Sequence, residues 1–211
     1  MGRGPTAGIM LGAGTSSRMG QPKQLLQVGG TPMLLRVLGA AMASPLAHIV
    51  LVLGPNAMEV RGALGLLPQG PRLKLIFNEH HTEGMASSIR AGIREIKNDF
   101  PSCMLVLGDQ PLLDAATIEL LLKAFWSSTQ EICVPFGRGV RGQPVIFGRR
   151  FYEELMALKG DVGGRGILEA HPEEVLEVQV PDPEVLMDVD TPEDLKRVQE
   201  LLLKRQELGE H

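Results

Sequence analysis

The chain has 211 residues, 44% of them hydrophobic and 22% charged, which is an ordinary composition for a globular protein with a sizeable core. A net charge of −4, an aromatic content of 4% and the absence of a basic stripe argue against a nucleic-acid partner. No apolar stretch approaches the ~18 residues of a membrane span, and residues 1–5 do not resemble a signal peptide, so no membrane partner is expected. Cys103 and Cys133 lie in apolar runs, as small core residues of a reduced compartment do, and we therefore expect a cytoplasmic protein.

Strand-like apolar runs alternate with helical patterns along the chain. Strands are predicted at 7–11, 48–53, 73–77, 103–107, 131–135 and 144–147. Helices are predicted at 31–43, 56–66, 85–98, 114–126, 149–158 and 191–208. The alternation predicts one three-layer α/β domain over residues 1–211, with a mainly parallel central sheet and ligands at the carboxyl ends of its strands.

A glycine-rich loop follows the first predicted strand. The segment Gly12-Ala13-Gly14 has almost no side chain, so a ligand can approach its main-chain N–H groups closely. Arg18 and Lys23 add cations that suit phosphate oxygens, and the segment is predicted to bind phosphate. The alternative is a tight turn followed by solvated basic residues. The loop is neither a Walker A motif nor a dinucleotide fingerprint, which would require Gly or Ala where Ser17 stands.

A polar stretch from Asn78 to Ser88 follows the third predicted strand. Ser87 and Ser88 would lie in the first turn of the next helix, where hydroxyls and N–H groups can face a base or a sugar. Plain helix capping explains both serines almost as well. The adjacent pair His80-His81 lacks the spacing of a zinc motif, and a loop over a ligand is the favoured interpretation.

A single carboxylate, Asp109, follows the fourth predicted strand and would lie at the same edge of the sheet as the glycine-rich loop. Gly108 precedes it and Pro111 ends the strand. An acidic group opposite a phosphate loop suits Mg²⁺ held against phosphate oxygens. The alternative role for this aspartate is an Asx turn before the following helix.

Two glycine-rich loops and one acidic segment occupy the last third of the chain. Residues 137–144 contain Arg138 and Arg141 and form either a cationic substrate loop or an exposed hairpin. Residues 159–166 lead into a short helix that Asp161 is expected to cap, while Arg165 is expected to face an anion. In the segment 185–194, Asp188 and Asp190 would share one face of a strand, and either residue suits the metal. Otherwise Asp190 begins a turn before the last helix, which Thr191 caps.

These motifs together resemble the nucleotidyltransferases of the glycosyltransferase A-like fold, and within them the molybdenum cofactor cytidylyltransferase group. The resemblance extends from about Ala7 to Leu203. It rests on the stretches Leu11–Lys23, Gly108–Pro111, Glu83–Gly92, Gly142–Val145, Gly160–Arg165 and Asp188–Asp194. Gly12 departs from the Ala usual in the cytidylyl group, whereas Ala13 follows the cytidylyl pattern.

The resemblance implies transfer of CMP from CTP to the phosphate of the molybdopterin–molybdenum cofactor, with Mg²⁺ as cofactor and pyrophosphate as the second product. The catalytic residues would be Arg18, Lys23 and Asp109. Asp109 and Asp190 would bind the metal. Nucleotide binding would involve Leu11, Gly12, Ala13, Gly14, Arg18, Lys23, Gly84, Ser87, Ser88 and Asp109. Acceptor binding would involve Arg141, Gln143, Gly160, Asp161 and Arg165.

Several alternatives to this activity remain open. They are a guanylyltransferase that uses GTP with the same acceptor, a cytidylyltransferase for a sugar or polyol phosphate, and a non-catalytic chaperone for a pterin cofactor. A molybdenum hydroxylase that receives the product is a further expected partner.

Overall fold

A computed structural model describes residues 3–14, 22–65 and 70–207, so the predicted site residue Arg18 lies outside the described residues. The strands are β1 Thr6–Gly12, β2 Gln27–Val28, β3 Thr31–Pro32, β4 His48–Leu53, β5 Leu73–Phe77, β6 Ser102–Leu107, β7 Ile132–Gly137, β8 Val140–Arg141, β9 Val145–Gly148 and β10 Val175–Gln179. The helices are α1 Met33–Ala43, α2 Ala57–Leu64, α3 Met85–Ile96, α4 Ala115–Ser127, α5 Tyr152–Ala157, α6 Arg165–Ala170 and α7 Pro192–Glu207.

The central sheet has the strand order β10-β7-β9-β6-β1-β4-β5, with β8 paired to β7 as a short hairpin. Strands β6, β1, β4 and β5 are mutually parallel, and β10 runs parallel to β7. Strand β9 lies antiparallel to both of its neighbours. The prediction of a mainly parallel sheet is therefore confirmed, and the carboxyl ends of β1, β4, β5 and β6 meet at one edge.

The inner strands of the sheet are buried on both faces, which is why they are continuous apolar runs rather than alternating ones. Along β4, Leu51 packs into the core beneath α1, α2 and α4, whereas its neighbours Val50 and Val52 pack into the core beneath α3, α5 and α6. Strand β6 divides in the same way, with Met104 on the first face and Cys103 on the second. The three-layer α/β fold class is confirmed.

A third, smaller core attaches the last helix to the functional edge of the sheet. It joins β2, the start of α1, the segment after β6, the acidic segment and helix α7 through the buried side chains of Val28, Met33, Leu112, Val189 and Val198. This packing holds the acidic segment 187–190 against the end of β6. None of the helices among the described residues is long and apolar enough to cross a membrane.

Sequence reasoning did not predict strand β10 or the two-residue strands β2, β3 and β8, and it misassigned one cap. Strand β10 was not predicted because it is an edge strand with an exposed face, and Glu177 and Gln179 interrupt its apolar run. The expectation that Asp161 caps the following short helix is wrong. Helix α6 begins after Gly164 with no side-chain cap, and the Asp161 carboxylate reaches a different helix.

Candidate active site

The glycine-rich loop leaves β1 at the functional edge and is held there by a buried glutamine. The side-chain Nε2 of Gln24 donates to the backbone oxygens of Gly12 (3.1 Å) and Gly14 (2.7 Å). On the other side, the end of β4 packs so closely that a Cβ at Gly54 would lie 2.7 Å from the Ala13 oxygen. The loop backbone is therefore fixed from both sides before any ligand binds.

Lys23 connects the loop to two carboxylates from distant parts of the chain. Its Nζ donates to Asp109 Oδ2 (2.8 Å) and to Asp190 Oδ1 (2.6 Å). Burial acts to lower the pKa of Lys23, but the charges and hydrogen bonds of Asp109 and Asp190 outweigh it, and the pKa lies above its ordinary value. The ammonium stays charged and marks the point where the two predicted metal ligands converge.

Backbone contacts place these two aspartates. The amide of Gly108 donates to the Leu11 oxygen (3.1 Å), and the amide of Val189 donates to the Asp109 oxygen (2.9 Å). These two bonds join the ends of β1 and β6 to the acidic segment before α7.

The start of α7 leaves the Asp190 side chain available to Lys23. The carboxylate of Asp194 accepts from the amides of Asp190 (3.1 Å) and Thr191 (2.8 Å), while the Thr191 hydroxyl accepts from the Asp194 amide (3.2 Å). This reciprocal cap stabilises the helix terminus. The hydrogen bond from Thr191 is the main cause of the lowered pKa of Asp194. Thr191 thus caps the helix, and the Asp190 side chain lies beside Asp109 at Lys23, where its role at a metal stays a prediction.

A cavity of about 150 Å³ opens between the glycine-rich loop and the start of α3. Six of the residues predicted to bind nucleotide line it: Leu11, Ala13, Gly14, Gly84, Ser88 and Asp109. Met85, Leu107 and His81 complete the wall. The described residues therefore form a compact cleft at the carboxyl edge, at the place where α/β sheets bind ligands.

Gly12 and Ser87 do not line this cavity. Gly12 faces inward, where an added Cβ would lie 3.3 Å from the Leu34 side chain. The Ser87 hydroxyl donates to the Gly84 oxygen (2.8 Å) and accepts from Asn78 Nδ2 (2.8 Å). The same amide group reaches Ser88 Oγ at 3.0 Å, so Asn78 positions both serines.

The loop at 160–161 packs against the start of α3, which lines this cavity. Asp161 Oδ1 accepts from the Met85 amide (3.1 Å), and the Gly160 oxygen accepts from the Ala86 amide (3.2 Å). A Cβ at Gly84, where φ is +91°, would lie 2.6 Å from the Asp161 backbone, so only glycine fits. These contacts cap α3 and set the position of the cleft wall.

A second cavity, of about 540 Å³, lies beside the first and is lined by the β7–β8 hairpin, α6 and the acidic segment. Of the predicted acceptor residues, Arg141, Gln143 and Arg165 line it, and Gly160 and Asp161 do not. The described arginines of this wall have carboxylate partners, which the sequence did not reveal. The pairs are Arg138–Glu184 (3.3 Å), Arg141–Glu177 (2.7 Å) and Arg165–Glu169 (2.8 Å).

Asp188 contributes a carboxyl group to the second cavity, whereas Asp190 turns to Lys23. Burial, followed by the nearby charge of Asp109, raises the pKa of Asp188 to about 6, against a smaller opposing contribution from Gln110. The two aspartates are therefore not equivalent, although a strand pattern would place them on one face. The segment between them is extended but is not part of a sheet.

Buried polar atoms without partners concentrate at these two cavities. Among the described residues, four buried side-chain atoms have no hydrogen-bond partner. His81 Nδ1 and Asp109 Oδ1 belong to residues of the first cavity, and Gln110 Oε1 and Gln143 Oε1 belong to residues of the second. Leaving a buried polar atom unpaired costs about 1–3 kcal/mol, so such a concentration indicates groups reserved for ligands.

The residues present fit a divalent cation carried in with a phosphorylated substrate. Asp109 and Asp190 provide hard oxygen ligands, and one oxygen of Asp109 has no partner. The described residues include no group of three or more His, Cys, Asp or Glu side chains arranged to hold a metal ion. Mg²⁺ ordinarily needs only one or two carboxylates in addition to substrate phosphates and water, so two suffice.

Sequence reasoning missed several residues that build the site. Gln24, Asn78, His81 and Gln110 lie in polar or mixed segments without a chemical motif, and only their burial in the fold distinguishes them. A signal did exist for two of them, because a polar residue shortly after an apolar strand, such as Asn78 directly after β5 or Gln110 three positions after β6, lies at the functional edge.

Comparison with known proteins identifies the class of this chain. The family model for the MobA-like NTP transferase domain matches residues 8–175. Molybdenum cofactor cytidylyltransferase of Escherichia coli is 25% identical, over 88% of this chain and 91% of that protein. Nicotine blue oxidoreductase of Paenarthrobacter nicotinovorans is 28% identical, over 90% of this chain and 95% of that protein.

Solved structures agree in fold. The crystal structure of Rv0371c from Mycobacterium tuberculosis superposes with a TM-score of 0.81 at 30% identity, covering 94% of this chain and 99% of that one. Another structure of Rv0371c is a complex with manganese, with a TM-score of 0.77 at 28% identity over 93% and 99% of the two chains. The matched residues include the glycine-rich loop, Lys23 and Asp109, and the chain belongs to the MobA-like NTP transferase domain family and is a nucleotidyltransferase.

Proposed function

We propose that this protein is a cytidylyltransferase that joins CMP from CTP to the phosphate of the molybdopterin–molybdenum cofactor. The acceptor phosphate oxygen forms a bond to the α-phosphorus of CTP, and the bond from that phosphorus to the leaving pyrophosphate breaks. The product is the cytosine dinucleotide form of the cofactor, which a molybdenum hydroxylase would then receive.

The observation that carries this proposal is that two cavities with unpartnered polar atoms meet at two adjacent residues, the first of which is paired with Lys23. Asp109, which accepts from Lys23, lines the smaller cavity, and the next residue, Gln110, lines the larger one. A transferase needs two anionic substrates held side by side with the reacting atoms in contact. Neighbouring cavities that share one charged cluster meet this requirement, whereas a non-catalytic carrier needs only one of them.

The protein's own groups supply positioning and charge. The loop Gly12–Gly14 offers backbone N–H groups to the triphosphate, because Gln24 already holds its carbonyl oxygens on the other side. Lys23 stabilises the charge that develops around the α-phosphate, and Arg18 is proposed to assist it. Asp109 and Asp190 would hold Mg²⁺, which supplies neutralisation of phosphate charge when bound.

The choice of CTP and of the pterin acceptor rests on the motifs and on the Escherichia coli relative, whose name states that activity. A relative with a similar level of identity has the name of an oxidoreductase, so identity alone does not select the chemistry. The geometry favours nucleotidyl transfer, because a lysine between two carboxylates suits a phosphoryl centre. The loop also lacks the dinucleotide fingerprint expected for a nicotinamide cofactor.

The test is release of pyrophosphate from CTP and Mg²⁺ in the presence of molybdopterin–molybdenum cofactor. We expect release with CTP, at least about tenfold slower release with GTP, and none with glucose 1-phosphate or methylerythritol phosphate as acceptor. Equal or faster use of GTP would replace the base assignment by the guanylyl alternative. Release with a sugar phosphate but not with the cofactor would reject the acceptor. Binding of both substrates without pyrophosphate would indicate a chaperone.

A further inference from the structure

Two glutamines that line the larger cavity have side-chain carbonyl oxygens that are buried and lack hydrogen-bond partners. Gln110 is 1% exposed, and its Nε2 donates to the Leu186 oxygen at 3.0 Å. This bond orients the side-chain amide of Gln110, and the other amide atom, Oε1, has no hydrogen-bond partner. Gln143, which follows the β7–β8 hairpin and also lines the cavity, has a buried and unpartnered Oε1 as well.

An unpartnered carbonyl oxygen can only accept a hydrogen bond, so a ligand that satisfies it must bring an N–H or O–H group. A ligand that satisfies both oxygens must have at least two N–H or O–H donors along one edge. The arginines that line this cavity are exposed and paired with glutamates. They can attract an anion, whereas the two glutamine oxygens can only accept hydrogen bonds.

The rest of the cavity surface argues for a flat ring rather than a sugar. Its apolar lining consists of Val140, Val145, Leu168, Pro183, Leu186 and Met187. A sugar or polyol has hydroxyls around its whole outline, and each would lose its water against such walls. A heteroaromatic ring presents apolar faces to these side chains and confines its N–H donors to an edge.

We propose that Gln110 and Gln143 select the acceptor by accepting hydrogen bonds from the N–H edge of a planar nitrogen heterocycle, of the kind that a 2-amino-4-oxopteridine presents. The inference rests on the proposed function for the identity of the cavity as the acceptor site. The inference adds to the proposed function that two neutral amides, rather than the exposed arginines of the cavity, determine acceptor specificity.

The probes for this proposal are 6-hydroxymethylpterin phosphate and the same compound without its 2-amino group. The second probe is smaller, so it removes a donor without adding a clash. Binding is measured by pterin fluorescence in the presence of CTP and Ca²⁺ in place of Mg²⁺. We expect the wild-type protein to bind the amino compound at least about fivefold more tightly, since a site built around a ligand N–H discriminates against its absence.

Gln143→Met and Gln110→Met keep the side-chain length and remove the accepting oxygen. Each variant should reduce the affinity ratio of the two probes towards one, while affinity for CTP stays within about twofold. Gln179→Met, on the exposed face of β10 and away from the cavity, is the matched control and should keep the full ratio. If Gln110→Met does not fold, because its amide also holds the Leu186 oxygen, Gln143→Met alone decides.

A wild-type ratio near one, an unchanged ratio in Gln143→Met, or displacement of the pterin by equimolar glucose 1-phosphate would overturn the proposal. Pyrophosphate release with CTP and the molybdenum cofactor, measured on the same protein, separates the two hypotheses. Transfer without discrimination between the probes refutes the glutamine assignment alone. Discrimination without transfer refutes the proposed activity and leaves the glutamine assignment standing.

Discussion

The two cavities of the candidate active site differ in the elements that line them and in how far their charged groups are buried. The smaller cavity, which is the proposed nucleotide site, is lined by the ends of parallel strands and the start of α3, and Lys23 is half-buried between two carboxylates, one of which lines this cavity. The larger cavity, which is the proposed acceptor site, is lined by a hairpin and a short helix, and its arginines are exposed and paired with glutamates. Charge at a desolvated centre is worth far more than charge at a solvated rim, so equal substitutions should have unequal effects on the two sides.

The largest effect is expected for Asp109→Asn. The change removes one carboxylate charge from the proposed metal site with little change in shape, and loss of one key electrostatic group at a reacting centre costs roughly a hundredfold or more in kcat. Pyrophosphate release under saturating CTP and Mg²⁺ measures it. Asp99→Asn, an exposed aspartate away from both cavities, serves as control. A near-normal rate for Asp109→Asn would remove this residue from the metal site.

Lys23→Ala should reduce kcat more than it raises the KM for CTP. Its ammonium is held in place by Asp109 and Asp190 and is expected to act on charge that exists only in the transition state. We expect a loss of about a hundredfold in kcat, with KM changed by only a few fold. Lys123→Ala, which removes an exposed lysine paired with Glu119 on α4, should change neither. A pure KM effect would make Lys23 a uniform binding contact.

The positions of the glycine-rich loop and of Asp109 in the fold were well predicted from the sequence, because strand ends and glycine loops are local signals. The run Leu11–Gly14 and the aspartate after β6 are each visible in a short window, and a parallel sheet brings such strand ends to one edge. The destination of Asp161 was not predictable in this way. Its partner, the amide of Met85, lies 76 positions earlier in the chain, and no local pattern encodes that contact.

Asp161→Ala therefore tests whether the 160–161 loop serves the nucleotide side or the acceptor side. Loss of the capping oxygen should lower the free energy of unfolding by about 1 kcal/mol, which is a fall of roughly 2–4 °C in Tm for a domain of this size. Because α3 forms the cleft wall at Gly84 and Ser88, the KM for CTP should rise a few fold while the KM for the acceptor is unchanged. Asp161→Asn keeps an accepting oxygen and should restore most of both losses. A selective loss of acceptor affinity would return this loop to the acceptor site.

The smallest effect is expected where the sequence suggested a large one, in the double variant Arg141→Ala with Arg165→Ala. Sequence reasoning gave both guanidinium groups to the acceptor phosphate, and both do line the larger cavity. Their glutamate partners could not be foreseen, since Glu177 lies on β10, a strand that the apolar pattern missed. An exposed ion pair contributes only about 0–1 kcal/mol, and an acceptor phosphate must compete with a carboxylate already in place.

We therefore expect the acceptor KM of this double variant to rise by about twofold to threefold, with the KM for CTP within twofold. The effect should shrink as salt is raised, because exposed charges are screened. Arg150→Ala, which removes an arginine paired with Glu174 outside the cavity, is the matched control and should leave the acceptor KM unchanged. A hundredfold loss in the double variant would show that the arginines exchange glutamate for phosphate and carry acceptor binding. A rise in the KM for CTP alone would mean that these arginines contact the nucleotide, which would contradict the proposed assignment of the larger cavity to the acceptor.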